Sequence, residues 1–126
     1  MAPEADLKLL HDSKHRMVVI EDAALNAETP PDDLDAPITP IDSFFVRNNG
    51  TTPLVPPDAA SNWSLTIDGE VERPRAFTLA ELRRDFETVS VTAVIECAGN
   101  GRVAFAPATD GLQWANGAVA CARWEG

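Results

Sequence analysis

Apolar and polar residues alternate with period two in two stretches of the chain and recur at helical spacing in a third. Trp63-Ser64-Leu65-Thr66-Ile67-Asp68 alternates and stops at Gly69, which predicts a half-buried strand; Glu70 to Pro74 then leads to a turn. From Thr88 to Glu96, Val89, Val91, Ala93 and Ile95 fall on one face, and continued strand geometry turns Cys97 inward with them. Thr78-Leu79-Ala80-Glu81 has the form of a capping box, and Leu79, Leu82 and Phe86 recur at helical spacing. A short amphipathic helix over 79–86 is predicted, with Arg83 and Arg84 on its wet side.

The remaining apolar runs are shorter. Arg16 to Ile20 suits a packing strand, and Ala118 to Trp124 is a further apolar run after a turn at Asn116-Gly117. Ile41 to Val46 predicts an aromatic core element running into Arg47-Asn48-Asn49-Gly50, where Asn-Gly is a turn signal that could close a hairpin. Residues 26–40 carry acids and four prolines, which predicts an ordered but irregular arm crossing a surface. Residues 53–57 read as loop and 103–110 as short and mixed. Ten prolines in all favour extended and turning segments over long helices.

A length of 126 residues fits one domain with a real core. The net charge of −10 is uneven: residues 1–46 hold ten acidic and three basic side chains, residues 47–126 ten and seven. Such a balance argues against nucleic-acid binding, which needs a basic face. After Lys14 every basic residue is arginine, the side chain suited to a planar grip on oxyanions. Two cysteines, Cys97 and Cys121, make no disulfide framework and no zinc spacing. No apolar run reaches membrane-spanning length, and no secretory signal is visible at the N-terminus. The expected compartment is therefore the cytoplasm, or the periplasm if a signal has been removed.

The candidate chemistry lies at 94–102, Val94-Ile95-Glu96-Cys97-Ala98-Gly99-Asn100-Gly101-Arg102. A strand ends in a cysteine, and a loop follows whose glycines, Gly99 and Gly101, free the backbone for positive φ and for close approach of a ligand. A thiol and a guanidinium five residues apart suit a soft ligand beside an anion clamp. A buried cysteine before an ordinary turn fits the same residues, and Arg47 by itself also reads as a solvated turn arginine.

Two stretches together carry a resemblance. Phe44-Phe45-Val46-Arg47-Asn48-Asn49-Gly50 and Glu96-Cys97-Ala98-Gly99-Asn100-Gly101-Arg102 resemble the molybdopterin domain of the sulfite oxidase family. Asn26-Ala27-Glu28-Thr29-Pro30, Leu65 to Phe77, and Gly111-Leu112-Gln113-Trp114 through Gly126 match supporting pieces in the right order. The resemblance implies a mixed, sheet-rich α+β fold that binds the molybdenum–molybdopterin cofactor. The domain is expected to be present only in part, because the sequence stops within an apolar element: 1–40 as an N-terminal arm and 41–126 as a cofactor-binding core truncated at its C-terminus.

The resemblance also implies roles. Cys97 matches the protein thiolate on the metal, a soft donor bound in deprotonated form. Arg47 and Arg102 match arginines that hold the substrate anion near the metal through charge-assisted hydrogen bonds. Trp114 matches an aromatic that shapes the substrate pocket, and Phe45, Val46, Arg47, Asn48 and Asn49 match the segment contacting the pterin. The implied reaction is oxo transfer converting sulfite to sulfate, with electrons passed to an acceptor such as a separate cytochrome or oxygen. Nitrate or a sulfoxide are alternative substrates, and a homodimer through a segment absent from this sequence is a further implication. A non-catalytic fragment unable to hold the cofactor alone is the competing reading.

The sequence departs from the family in places. Asn49 stands where histidine is frequent, and Gly101 where many members have arginine. The chain has no tyrosine, whereas family members use one in the active site; that residue is expected beyond Gly126. Cys121 matches no family function and is expected to be a small buried residue.

Overall fold

The computed structural model describes Lys8 and residues 12–21, 23–50 and 55–126. Its elements in chain order are β1 (Val18–Glu21), β2 (Asn26–Glu28), α1 (Ala59–Asn62), β3 (Ser64–Ile67), β4 (Arg75–Thr78), α2 (Leu79–Asp85), β5 (Ser90–Glu96) and β6 (Val119–Glu125). Single 3-10 turns form at Pro31–Asp33 and Arg102–Ala104. Among the described residues the strands form three two-stranded ribbons, β1-β2, β3-β4 and β5-β6. Among the described residues no helix is long and apolar enough to cross a membrane. The chain divides into two compact units, one of residues 1–52 and 91–124, the other of residues 53–90 and 125–126.

The first unit is built around β2. It pairs antiparallel with β1 (Val18 opposite Glu28, Val19 opposite Ala27), with a bulge between Val19 and Glu21. On its other edge Ala27 exchanges two backbone bonds with Val46, at 2.9 and 2.8 Å. The Phe44-Phe45-Val46 run therefore contributes a single bridged residue where a longer element was expected. Immediately after β2, the Thr29 N–H donates to the Gly117 carbonyl at 3.0 Å, and further along Thr39 donates to the Cys121 carbonyl at 2.8 Å.

Residues 26–29 are all buried, although the proline-rich stretch they open predicted an irregular surface arm. The reason is hydrogen bonding. Each polar side chain in Asn26-Ala27-Glu28-Thr29 meets a long-range partner, so burial leaves none of them unpaired. The core contains Leu25, Ala27, Trp114, Ala118 and Ala120 around these polar groups. Phe44 lies edge-on to Trp124, whose indole N–H donates to the Ala93 carbonyl at 3.0 Å. Cys121 is half-buried, not enclosed, and its amide donates to the Thr39 hydroxyl.

In the second unit β3 and β4 pair antiparallel from Ser64–Thr78 to Ile67–Arg75. The alternation of β3 produces the predicted strand but not the predicted half-burial, since Leu65 and Ile67 remain 41% and 43% exposed. A two-stranded ribbon offers little surface to cover an apolar face. Phe77 is the buried anchor; it meets the Phe86 ring edge-on at 5.7 Å, and the Arg75 guanidinium lies 4.2 Å above its face.

Helix α2 starts as its sequence predicts. The Glu81 amide donates to the Thr78 hydroxyl, and the Glu81 carboxylate accepts from the Thr78 amide and hydroxyl at 2.8 and 2.9 Å. Both bonds from Thr78, the backbone one first, hold the Glu81 carboxyl below its ordinary range. A depressed folded-state value means that this contribution is present above the usual glutamate range and lost as pH falls through the folded value. Thr78→Ala is expected to cost about 1 kcal/mol in urea unfolding at neutral pH. The difference between variant and parent should narrow in acid; a gap constant with pH would contradict the cap.

Candidate functional site

Strand β5 delivers Cys97 to the start of a tightly tied loop. The Cys97 amide donates to the Ala118 carbonyl at 2.9 Å, fixing the residue against the chain entering β6. The Asn100 amide then donates back to the Cys97 carbonyl at 2.9 Å, and the Arg102 amide to the Gly99 carbonyl at 3.1 Å. Gly101 takes φ of +79°, a left-handed conformation that glycine adopts without steric cost. Its amide donates to the Ala115 carbonyl, and the Val103 amide to the Trp114 carbonyl. Asn100 adds a side-chain tie, accepting from the Ala118 amide at 3.0 Å. The loop is thus pinned along residues 114–118. Cys97 is a free, half-buried thiol whose sulfur lies 3.5 Å from the Gly99 amide nitrogen, a backbone donor directed at it.

Arg102 is held as firmly as the loop. Its guanidinium donates to the Leu112 carbonyl at 2.8 Å and lies between Gly99 and Gly111. A Cβ on Gly99 would fall 2.9 Å from both the Arg102 guanidinium and Trp114, and one on Gly111 only 2.6 Å from the guanidinium. Gly99 and Gly101 were both expected to free the backbone for positive φ and for close approach of a ligand. Gly101 takes the positive φ; Gly99 does not, and the groups approaching it are Arg102 and Trp114.

These residues face a cleft of about 800 Å³ within the first unit. Of the residues singled out from sequence, Cys97, Arg102 and Trp114 line it from one segment of chain, and Phe45, Arg47, Asn48 and Asn49 from another. Val46 does not line it; its backbone is engaged with Ala27. Arg47 is exposed and donates to the carbonyl of its neighbour Asn48. Trp114 is 1% exposed, a wall fixed by packing.

Two carboxylates, Glu21 and Glu96, also line the cleft. Each is engaged by an amide side chain: Glu21 accepts from Asn26 at 2.8 Å and Glu96 from Asn100 at 2.9 Å. Among the described residues neither Arg47 nor Arg102 takes part in an ion pair. The cleft lining thus brings two guanidiniums and a free thiol together with two carboxylates that are engaged by neutral amides.

Sequence reasoning missed Asn26, which lines the cleft, and Glu28, which does not. Asn26 accepts from the Asn48 amide at 2.7 Å, and Asn48 returns a bond from its side chain to the Leu25 carbonyl at 3.1 Å. Glu28 accepts from the Ala115 amide at 2.9 Å and from the Gly117 amide at 3.4 Å. The acids and prolines of 26–40 pointed to an irregular arm crossing a surface, and no pattern in the sequence marked residues 26 and 28 as sharing a buried face.

The sequence matches the family described as oxidoreductase molybdopterin binding domain over residues 50–126. It is 42% identical to sulfite oxidase of Gallus gallus over 105 residues, covering 80% of this chain and 22% of the relative. Sulfite oxidase of Arabidopsis thaliana is 35% identical over 104 residues, covering 80% of this chain and 26% of the relative. An NADH nitrate reductase of Arabidopsis thaliana is 36% identical over 91 residues, covering 71% of this chain and 10% of the relative. The chain thus spans about a quarter or less of the length of these relatives. The family match covers more than half of the chain and joins the Cys97 loop to the residues that tie it down: the chain belongs to the oxidoreductase molybdopterin-binding domain family.

Proposed function

We propose that the protein is a molybdenum-dependent oxidoreductase that converts sulfite to sulfate, with Cys97 as its metal ligand. The observation that carries this reading is the joint placement in one cleft of a free thiol and two guanidiniums that, among the described residues, take part in no ion pair. The donor set fits the cofactor: one soft sulfur, backbone-positioned at the end of β5, beside a cleft within the size range of cofactor sites. When bound, the molybdenum–molybdopterin group supplies two-electron redox chemistry and oxygen-atom exchange.

The chain's own residues supply position and charge. Cys97 holds the metal through its thiolate, with the Gly99 amide directed at the sulfur. Phe45, Asn48 and Asn49 line the cleft for the pterin, and Trp114 forms a rigid wall. Arg102, immobilised by Leu112 and its two flanking glycines, meets an oxyanion without first losing side-chain freedom. Arg47, exposed on the opposite segment, adds a second charge-assisted contact. A separate cytochrome or oxygen would be the acceptor for the electrons that the cofactor supplies.

The sulfite reading is supported by the likeness to sulfite oxidases over 80% of the chain. A second reading, nitrate reduction, is supported by the likeness to nitrate reductases over 71% of it. Both substrates are small oxyanions that a guanidinium pair accepts. Sulfite-dependent reduction of an artificial acceptor by the cofactor-loaded protein, without nitrate turnover, is the expected result; the reverse would overturn the substrate.

Either arginine should contribute mainly to anion binding. Arg47→Gln or Arg102→Gln is expected to raise KM for sulfite about 10- to 100-fold, the worth of one charge-assisted hydrogen bond. Molybdenum content should be retained. A KM unchanged in both variants would remove the arginines from the anion site.

A further inference from the structure

The two segments that line the cleft are far apart in sequence, yet side chains of one strand reach both. Asn26 and Glu28 are spaced by two on β2, so their side chains leave the same face. Both are buried, at 0% and 5% exposure. Asn26 accepts from the Asn48 amide at 2.7 Å and donates to Glu21 at 2.8 Å. It thereby fixes the backbone of the Arg47-Asn48-Asn49 segment and turns a cleft carboxylate onto a neutral amide. Glu28 accepts from the amides of Ala115 and Gly117, flanking the chain between Trp114 and β6 onto which the Cys97 loop is tied.

Backbone pairing alone does not explain these contacts. Ala27, between the two, already pairs with Val46, and Thr29 already pairs with Gly117. The side chains of Asn26 and Glu28 add fixed points one or two residues away from those pairs, next to Arg47 on one side and Trp114 on the other. Neither residue itself belongs with the anion-binding pair.

We propose that Asn26 and Glu28 are positioning residues that set the two walls of the anion site independently, Asn26 the Arg47 wall and Glu28 the Trp114–Cys97 wall. This rests on the functional reading above only in taking the cleft as the anion site. A residue that orients others in a site is worth about 10- to 100-fold in affinity or activity when removed. Two separate walls also predict that the local consequences of removal are separate.

Amide hydrogen exchange and sulfate affinity, measured on the cofactor-loaded protein, test this. Asn26→Ala is expected to release the Asn48 amide to fast exchange while those of Ala115 and Gly117 stay protected. Glu28→Ala should release the latter two and spare Asn48. Each should weaken inorganic sulfate binding, read by calorimetric titration, about 10- to 100-fold. Glu28→Gln keeps an acceptor oxygen and should restore both slow exchange and affinity. Asn26→Ser and Glu28→Asp, whose shorter arms withdraw the acceptor without leaving an empty site, give the same reading where an alanine variant does not fold. Release of all three amides together, or released amides with unchanged sulfate affinity, would overturn the proposal. Neither readout needs turnover, so failure of sulfite oxidation bears on the proposed substrate alone.

Discussion

Cys97→Ser is expected to reduce turnover by more than about 100-fold, above the usual loss for a residue that only orients a metal ligand. Serine keeps the size and the geometry of the loop but replaces a soft, polarizable donor with a hard hydroxyl that stays protonated at neutral pH. Apart from the Gly99 amide directed at the sulfur, the bonds that hold the loop are made by other atoms. Cys97 is fixed by its own amide to Ala118, and the turn by Asn100 to the Cys97 carbonyl, so the loop should keep its shape. Circular dichroism and urea midpoint should therefore match the parent while activity is lost. Cys121→Ser is the control: it lies outside the cleft, and its contacts to Thr39 are made by backbone atoms. Turnover of the Cys121→Ser variant should match the parent; equal losses in both variants would contradict the assignment.

The second large effect is on stability. A Cβ added to Gly117 would lie 1.9 Å from the carbonyl oxygen of Thr29, a backbone atom with no side-chain freedom to yield. Relieving that contact separates two segments joined by the Thr29–Gly117 bond and by Glu28 to Ala115 and Gly117. Gly117→Ala is expected to cost about 3 kcal/mol or more, at the upper end for overpacking. Urea unfolding measures it, and a loss under about 1 kcal/mol would show that the segments separate easily. Such a loss also disturbs the site, because the Cys97 loop is tied to residues 114–118. Gly111→Ala should be different: its Cβ meets the guanidinium of Arg102, and the change should appear in anion binding as well as in stability.

Local rules made some of this visible beforehand. Alternation marked β3 and β5, and the Thr78-Glu81 pair marked the start of α2, because each depends on neighbours within a few residues. The burial that alternation normally implies did not follow. Val91 and Ile95 on one face of β5 and Val94 on the other are all exposed. Strand β2 was hidden for the opposite reason. Three residues, two of them polar, carry no periodic signal, and their burial depends on partners up to 89 positions away.

The site divides along the same line. The Cys97–Arg102 loop announced itself by a cysteine, two glycines and an arginine at a strand end. Arg47 stood out only through the resemblance, since a turn arginine looks the same from sequence. Gly99 and Gly111 were legible as glycines but not as the two sides of a slot for Arg102, which requires knowing that residues ten positions apart meet. Asn26 and Glu28 were quoted in the matching motif yet given no task.

The central claim is that the Cys97 sulfur binds the metal. Molybdenum K-edge X-ray absorption on the loaded protein and its Cys97→Ser variant tests it without reference to substrate. The variant should lose one sulfur neighbour from the molybdenum shell while the pterin's own sulfurs remain. An unchanged number of sulfur neighbours would contradict it.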